Sequence, residues 1–389
     1  MAEFDAVVVG GGIQGLMLAW EIARRGGRPL LLERHALGRG ASSASLGIVH
    51  GGLRYLQSLD FQRWYHSRRE QLWFAREFTD HTAPLRCVMP LYRGAFRSRG
   101  LFRTAFFVER MMAQVTGLGS VGHRARLVSP AEAAAVYPVP EADLTGAAVW
   151  PELAINDPLG LMRDIADRIE HAGGSVRERE EVVALDVVKG VVQGIVVRGP
   201  TGEWRHSTDT VMLCVGAASR IVAGRFDRDL PALSARALAF NLLLDVPAAR
   251  GEALAVSPVA GRGRSFFLRE QGGRLLAGTY YAHSVEVDPG EPLVVPPALV
   301  SAFLDELSRA APWLKGATIR EIWAGLLPDV DGQGQRLRAR DLIIDHSSQG
   351  GPRGLWTLLG TKLTTAHALA FQVASRALPN LLGERRHDG

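Results

Sequence analysis

Apolar positions along the chain switch between two spacings. Residues 6–9, AVVV, are a short continuous apolar run, as expected of a strand buried on both faces of a parallel sheet. Leu16, Leu18, Ala19, Ile22 and Ala23 then recur at helical spacing, Gly26 and Gly27 end that pattern, and Pro29 to Leu32 form a second apolar run. The opening therefore predicts strand, helix, strand. Phe61, Trp64, Leu72, Trp73 and Phe78 lie at helical spacing within 58–79 and predict a helix packed on a core. Asp157-Pro158 predicts a capped helix start and Gly173-Gly174 its end. A strand into EEVVAL and a hairpin over 182–199 follow, then the apolar strand TVMLCVGAASR (210–220), which runs into Gly216. Patterning changes over 235–315: LAFNLLLDV, RSFFLREQ and GRLLAGTYY read as antiparallel strands, and PALVSAFLDELSRAAPWL as an amphipathic helix. WAGLLPDVDGQGQRLRARDLIID reads as the return to the first lobe, and GLWTLLGTKLTTAHALAFQVASRAL as strand, turn and helix.

The first turn carries candidate chemistry. Gly10, Gly12 and Gly15 form G-x-G-x-x-G between strand and helix, and Glu33 closes the second strand eighteen residues beyond Gly15. Gly10 permits the tight turn, Gly12 lets backbone approach a pyrophosphate, and Gly15 lets helix and strand pack closely. The helix start, with Ile13 and Gln14, offers unpaired N–H groups to phosphate, and Glu33, followed by Arg34, can accept both hydrogens of a ribose diol. FAD and NAD both use this fingerprint. Its place at the N-terminus, with a Ser/Gly segment after the second strand, suits FAD.

That segment is SSASLGIVHGGLRYLQ, 42–57. Ser42, Ser43 and Ser45 are small donors for phosphate or a flavin edge, and Gly47 and Gly51-Gly52 allow backbone close to a flat ring. His50 is placed to take a proton from a substrate hydroxyl, and Arg54 to hold a carboxylate or phosphate with its fork of N–H bonds. The plainer reading is a satisfied core histidine and a surface arginine. At the last helix, Gly360, Lys362, Leu363 and Thr364 sit where a helix start can stabilise negative charge.

Composition narrows the class. The chain has 389 residues, 47% hydrophobic and 22% charged, enough for two lobes with a sizeable core. The net charge of +5 is carried almost wholly by arginine; Lys189, Lys315 and Lys362 are the three lysines. Two cysteines, Cys87 and Cys214, give no metal spacing and fit a reducing compartment. No signal peptide and no membrane-spanning run is evident, so a cytoplasmic location is expected. No aromatic-basic platform supports nucleic-acid binding. Residues 91–117 mix Arg93, Arg97, Arg99, Arg103 and Arg110 with Leu101, Phe102, Phe106, Phe107, Met111 and Met112. Two readings fit: peripheral contact with an anionic inner membrane face, or a helix on the substrate lobe with a solvated arginine face.

GGGIQG, ER, ASSAS and IVHGGLRYL, taken together, resemble the FAD-dependent glycerol-3-phosphate dehydrogenases of the D-amino-acid-oxidase-like superfamily, and GTKLTT resembles their GGKLTT element. The resemblance implies an α/β fold with a Rossmann-like FAD-binding domain of glutathione-reductase type. That domain (1–85, 146–230 and 320–389) would interleave with an α+β substrate domain on a mixed, antiparallel-rich sheet (86–145 and 231–319). It places His50 and Arg54 toward the substrate, Lys362 by the flavin, backbone near Val182 at the adenine and Gly216 beside the pyrophosphate. Two departures stand out. Leu327 replaces an arginine expected to bind the substrate's anionic group, with Arg340-Asp341, or less well Arg338, matching the second anion-binding arginine. The chain also ends soon after the GTKLTT helix, implying the short form without a C-terminal helical domain. The implied reaction is hydride transfer from a small anionic alcohol, glycerol-3-phosphate-like or a 2-hydroxy acid, to flavin N5, with quinone or O2 as acceptor. His50, Arg54, Lys362 and Arg340 would be the catalytic set, with no metal. An amino-acid or amine oxidase and a non-catalytic flavin-binding electron-transfer subunit are the alternatives.

Overall fold

The first apolar run becomes β1 (Ala6–Val9), buried throughout, and the helical pattern becomes α1 (Ile13–Arg24). Gly26, at φ +83°, turns the chain into β2 (Pro29–Glu33). The computed structural model describes residues 2–95, 97–136, 138–233, 236–248, 251–258, 264–282, 293–328 and 340–381. A two-residue strand, β3 (Ile48–Val49), leads to the single turn α2 (Leu53–Leu56) and to α3 (Phe61–Glu77), whose Asp60 cap accepts from the Arg63 N–H. Next come β4 (Thr82–Tyr92), α4 (Arg99–Thr116), β5 (Arg126–Val128), α5 (Pro130–Val136) and β6 (Leu144–Ile155).

Asp157 caps α6 (Pro158–His171), with proline in the first turn, as its sequence predicts. The chain continues through β7 (Ser175–Glu178), β8 (Glu181–Val188), β9 (Val191–Gly199), β10 (Gly202–Ser207), β11 (Val211–Leu213) and α7 (Ser219–Phe226). β12 (Arg236–Pro247), β13 (Glu252–Val256), β14 (Phe266–Gln271), β15 (Arg274–Ala282), α8 (Pro297–Ala310) and β16 (Ile319–Pro328) follow. β17 (Leu342–Asp345), β18 (Leu355–Leu359) and α9 (Ala366–Ala377) complete the order.

Two sheets organise these elements. The first runs β17-β18-β11-β1-β2-β7, parallel except for the β17–β18 pair. One face is covered by α1, α6 and α9, and the other by the β8–β9–β10 meander and α7. The second runs β16-β12-β15-β14-β13-β4-β6-β3, with β5 beside β6, and is antiparallel apart from β13–β4. β4 shows why it holds both faces: Leu85, Cys87, Met89 and Leu91 enter the cluster under α2–α4, while Val88 enters the cluster under α8. Under α8, Phe303 packs on Phe240, Phe266 and Tyr280 at 5.6, 5.0 and 5.1 Å between ring centroids. The fold is thus mixed α/β, a parallel nucleotide-type sheet with a mixed, mostly antiparallel substrate sheet.

Three local readings change. WAGLLP, read as part of the return to the first lobe, is instead β16, hydrogen-bonded along β12 at the edge of the second sheet. Residues 146–155, grouped by sequence with the nucleotide lobe, pair with β4 in that sheet too. The stretch 91–117 is not one helix: β4 runs to Tyr92 and α4 begins at Arg99. Arg97 donates to Ser265 Oγ, and Arg99 donates to the carbonyls of Val128 and Thr145 at 2.7 and 2.9 Å, so two of its arginines serve the interior. Among the described residues no helix is long and apolar enough to cross a membrane, and no cluster of ligand-type side chains fits a metal.

Candidate active site

β1, β11 and β18 run parallel, so their C-terminal ends open on one crevice, where strand order reverses about β1. Three turns leave there: Gly10 to Gly15 after β1, Cys214 to Gly216 after β11, and Gly360 to Lys362 after β18. Gly10 sits at φ +110°, and a Cβ on it would lie 2.6 Å from the Cys214 carbonyl oxygen. A Cβ on Gly15 would collide with the Gly10 carbonyl, and one on Gly360 with the Gln14 amide. Gly216, at φ +55°, faces open space. At Gly10 and Gly15 the obstacle is backbone, so only glycine fits; at Gly360 it is the mobile end of Gln14, and at Gly216 only the positive φ favours glycine.

Polar groups line the same crevice. Glu33 accepts from the Gly11 and His35 N–H groups at 2.7 and 2.9 Å. Ser42 Oγ accepts from Ile13 N–H at 3.0 Å, at the start of α1. Gln14 donates to the Lys362 carbonyl at 3.0 Å, while its own Oε1 is buried without a hydrogen-bond partner. An orphaned acceptor beside glycine turns and a helix start fits a bound dinucleotide with N–H or O–H donors of its own. Val182 is buried on β8; that strand's approach is pinned by Glu180 N–H donating to the Glu33 carbonyl at 3.0 Å. Arg34 is half-buried beside Glu33. Leu363 and Thr364 form a short 3-10 turn that leads into α9, with Lys362 as its first flanking residue.

Ser43 and Ser45 bond within their own loop, Ser43 to the Gly40 carbonyl and Ser45 from Gly47 N–H at 3.3 and 3.1 Å. Gly47 has a packing reason of its own: at φ +70°, a Cβ would lie 2.5 Å from the Ile155 carbonyl oxygen and 2.8 Å from Arg269 Nη2.

The HGGLRYL stretch brings charged groups to the rim. Gly52, at φ +89°, turns the chain into α2. Tyr55 is buried, and its hydroxyl accepts from Lys362 Nζ at 2.7 Å and from Arg54 Nη2 at 2.9 Å. Arg54, Arg63 and Lys362 lie 4.8, 5.1 and 5.4 Å from its ring centroid. Burial pushes the phenol up, but the hydrogen bond from Lys362 and the charges of Arg54 and Lys362 outweigh it, so Tyr55 sits below the usual tyrosine range. His50 is half-exposed, with Nδ1 3.2 Å from Glu152 Oε1 and its ring 5.2 Å from that of Phe267.

The structure thus brings together Lys362, Arg54, Tyr55 and Gln14, residues from opposite ends of the chain. Arg340 stands apart from these contacts: it is exposed, and its neighbour Asp341 accepts from the N–H and Oγ1 of Thr361 at 2.8 and 2.9 Å. Arg338 lies outside the described residues. Leu327 on β16 pairs with Ala237 and adds no charge. Tyr55, which the resemblance sets beside His50 and Arg54 at the substrate, is found holding Arg54 and Lys362. Glu152 escaped the sequence reading, since it lies in a strand that its own sequence did not announce.

A parallel nucleotide-type sheet, a glycine turn at its switch point and a cationic rim contributed by α2, α3 and the turn after β18 define an α/β oxidoreductase that works with a bound dinucleotide. A family model described as "FAD dependent oxidoreductase" (DAO) matches residues 5–376, and the chain belongs to that family. FAD is its cofactor. Glycerol-3-phosphate dehydrogenase 1 of Mycobacterium bovis is 26% identical over 387 residues, 96% of this chain and 72% of that one. The aerobic glycerol-3-phosphate dehydrogenase of Staphylococcus saprophyticus is 31% identical over 175 residues, 45% of this chain and only 30% of that one. In fold, the chain matches the FAD-complexed glycerol-3-phosphate dehydrogenase of Bacillus halodurans with a TM-score of 0.72 at 17% identity, covering 99% of this chain and 66% of that one. It matches the L-proline dehydrogenase of P. horikoshii at 0.71 and 16% identity, covering 97% and 94%.

Proposed function

We propose that this chain oxidises a small anionic alcohol, glycerol-3-phosphate-like or a 2-hydroxy acid. The carrying observation is the cationic rim: Lys362 and Arg54 both donate to Tyr55, and Arg54 follows the half-exposed His50 by four residues along the chain. Such a rim attracts an anion and supplies donors to orient it. FAD, when bound, supplies the two-electron acceptor for hydride from the carbinol carbon.

The residues divide the remaining work. Gly10, whose own N–H donates to the Leu32 carbonyl at 2.8 Å, shapes the turn, Gly12, Gly15 and Gly216 let backbone approach the pyrophosphate, Glu33 takes the ribose hydroxyls, and backbone near Val182 flanks the adenine. Gly360, Lys362, Leu363 and Thr364 present the start of α9 to the ring system. Arg54 anchors the substrate's charged end, and Lys362, held by Tyr55, stabilises charge that develops during oxidation. His50 accepts the hydroxyl proton. Arg340, exposed beside Asp341, is a second candidate anchor.

An amine donor is the second reading. Leu327, an aliphatic side chain where the related dehydrogenases are expected to carry a guanidinium, favours it, as does the whole-fold likeness to an L-proline dehydrogenase. Anaerobic addition of sn-glycerol 3-phosphate, L-lactate, 2-hydroxyglutarate, L-proline and glycine to the flavin-loaded protein separates the two. Bleaching of the visible flavin band by a hydroxy-anion is expected. Bleaching by an amine alone would give the site to the second reading, and bleaching by none of them would remove the enzymatic one.

A further inference from the structure

Glu152, on β6, is 3% exposed and receives groups from three directions. Its Oε1 accepts from Trp150 Nε1–H at 3.0 Å and faces His50 Nδ1 at 3.2 Å. Its Oε2 accepts from Gly51 N–H at 2.6 Å and from Gln71 Nε2 at 2.8 Å. Indole N–H, backbone N–H and an amide NH2 can only donate, and a carboxylate offers about four acceptor positions. Three of these positions are taken by groups that cannot accept a proton in return. The fourth must then be filled by His50 acting as a donor, through a protonated Nδ1. Burial pushes the Glu152 carboxyl up, yet the bond from His50, the charge that ring carries whenever it is protonated, the Gly51 amide and Arg68 together hold it below the ordinary carboxylate range.

The surroundings fix this polarity. Gln71 could reverse the pattern only by flipping, but its Oε1 accepts from Arg68 Nη1 at 3.0 Å and its Nε2 also donates to the Val49 carbonyl at 2.8 Å. A flipped amide would set donor against donor inside the protein. Arg68, 2% exposed on α3, is in turn paired with Glu109 of α4. On β4, Cys87 feels the Glu152 charge; burial and that charge push its thiol up, so it stays neutral. From β14, Phe267 offers only a ring face to His50.

We propose that Glu152 is the positioning residue for His50: it holds the Nδ1–H tautomer, leaves the Nε2 lone pair open to the substrate hydroxyl, and supplies the countercharge when the ring becomes imidazolium. This rests on the reading of His50 as proton acceptor. The hydroxyl O–H bond breaks and its proton passes to Nε2; the Nδ1 proton stays on the ring, and Glu152 remains a carboxylate throughout.

The test uses flavin-loaded protein with 15N-labelled histidine, His50 being assigned by comparison with His50→Gln. Long-range 1H–15N correlations should show neutral His50 with Nδ1 protonated and Nε2 bare. In Glu152→Gln the signature should shift toward the Nε2–H form, and in Glu152→Asp it should partly return. The tautomer signals are read whether or not any substrate is found. With whichever of sn-glycerol 3-phosphate or L-lactate bleaches the wild type, Glu152→Gln should slow flavin reduction by about 10²–10⁴-fold. FAD content and KM should stay within about threefold, and Glu152→Asp should recover part of the rate. Nε2–H in the wild type, or an unchanged tautomer in a flavin-loaded Glu152→Gln, would overturn the assignment even if substrate oxidation is confirmed.

Discussion

A single methyl group tests the crevice most directly. A Cβ on Gly15 meets the Gly10 carbonyl at the point where α1 packs against β1, and both sides of that contact are backbone. Gly15→Ala should therefore lose most of its bound FAD and destabilise the chain by roughly 1–3 kcal/mol, read as flavin absorbance per chain and as Tm. Glu152 gives a prediction in pH. Its folded carboxyl lies below the ordinary range, so around that range the unfolded chain binds more protons than the folded one. The stabilisation is present above the unfolded pKa and is lost as pH falls through the folded value. The Tm gap between wild type and Glu152→Gln should be widest near neutrality and narrow on acidification below about pH 4. Sequence marked the glycines because a tight turn restricts residue type locally. It could not mark Glu152, whose four partners come from residues 50, 51, 71 and 150 and meet only in the folded chain.

At the scale of elements, α4 and the turn after β18 carry the sharper expectations. Phe102, Ala105 and Phe106 bury one face of α4 in the cluster with Trp150, as the packing reading required. The opposite row does not read as a solvated arginine face alone: Phe107, Met111 and Val115 are 61%, 47% and 78% exposed, at i, i+4 and i+8, with Arg103 at the head of the row. Replacing these three apolar residues by serine should abolish sedimentation with phosphatidylglycerol vesicles and leave flavin content unchanged. Equal binding by wild type and variant would remove the membrane reading. The turn before Lys362 depends on Asp341, which accepts twice from Thr361. Asp341→Ala should cost roughly 1–2 kcal/mol, read as a fall in Tm, and by loosening the Lys362 backbone should raise KM for the substrate in steady-state assays. Helix α6 was legible from its cap and stop signals, whereas β4, β6 and β13 were not. Their residues alternate between two buried faces, so polar and apolar positions do not separate.

For the whole molecule, both cysteines sit inside separate cores: Cys87 is fully buried and Cys214 is 5% exposed. Burial pushes both thiols up, so an aromatic disulfide reagent at about pH 8 should find no reactive thiol in the native chain and two per chain after denaturation. The sequence by itself determined the opening strand-turn-helix, its glycines and Glu33, the HGGLRYL and GTKLTT elements, and through them the flavin class, because each is a run of neighbours under one local backbone constraint. Only the tertiary structure decided that WAGLLP joins the second sheet, that Tyr55 receives both Arg54 and Lys362, and that His50 leans on Glu152. These contacts join residues separated by up to 307 positions. Their geometry depends on how two sheets pack, which no local spacing records.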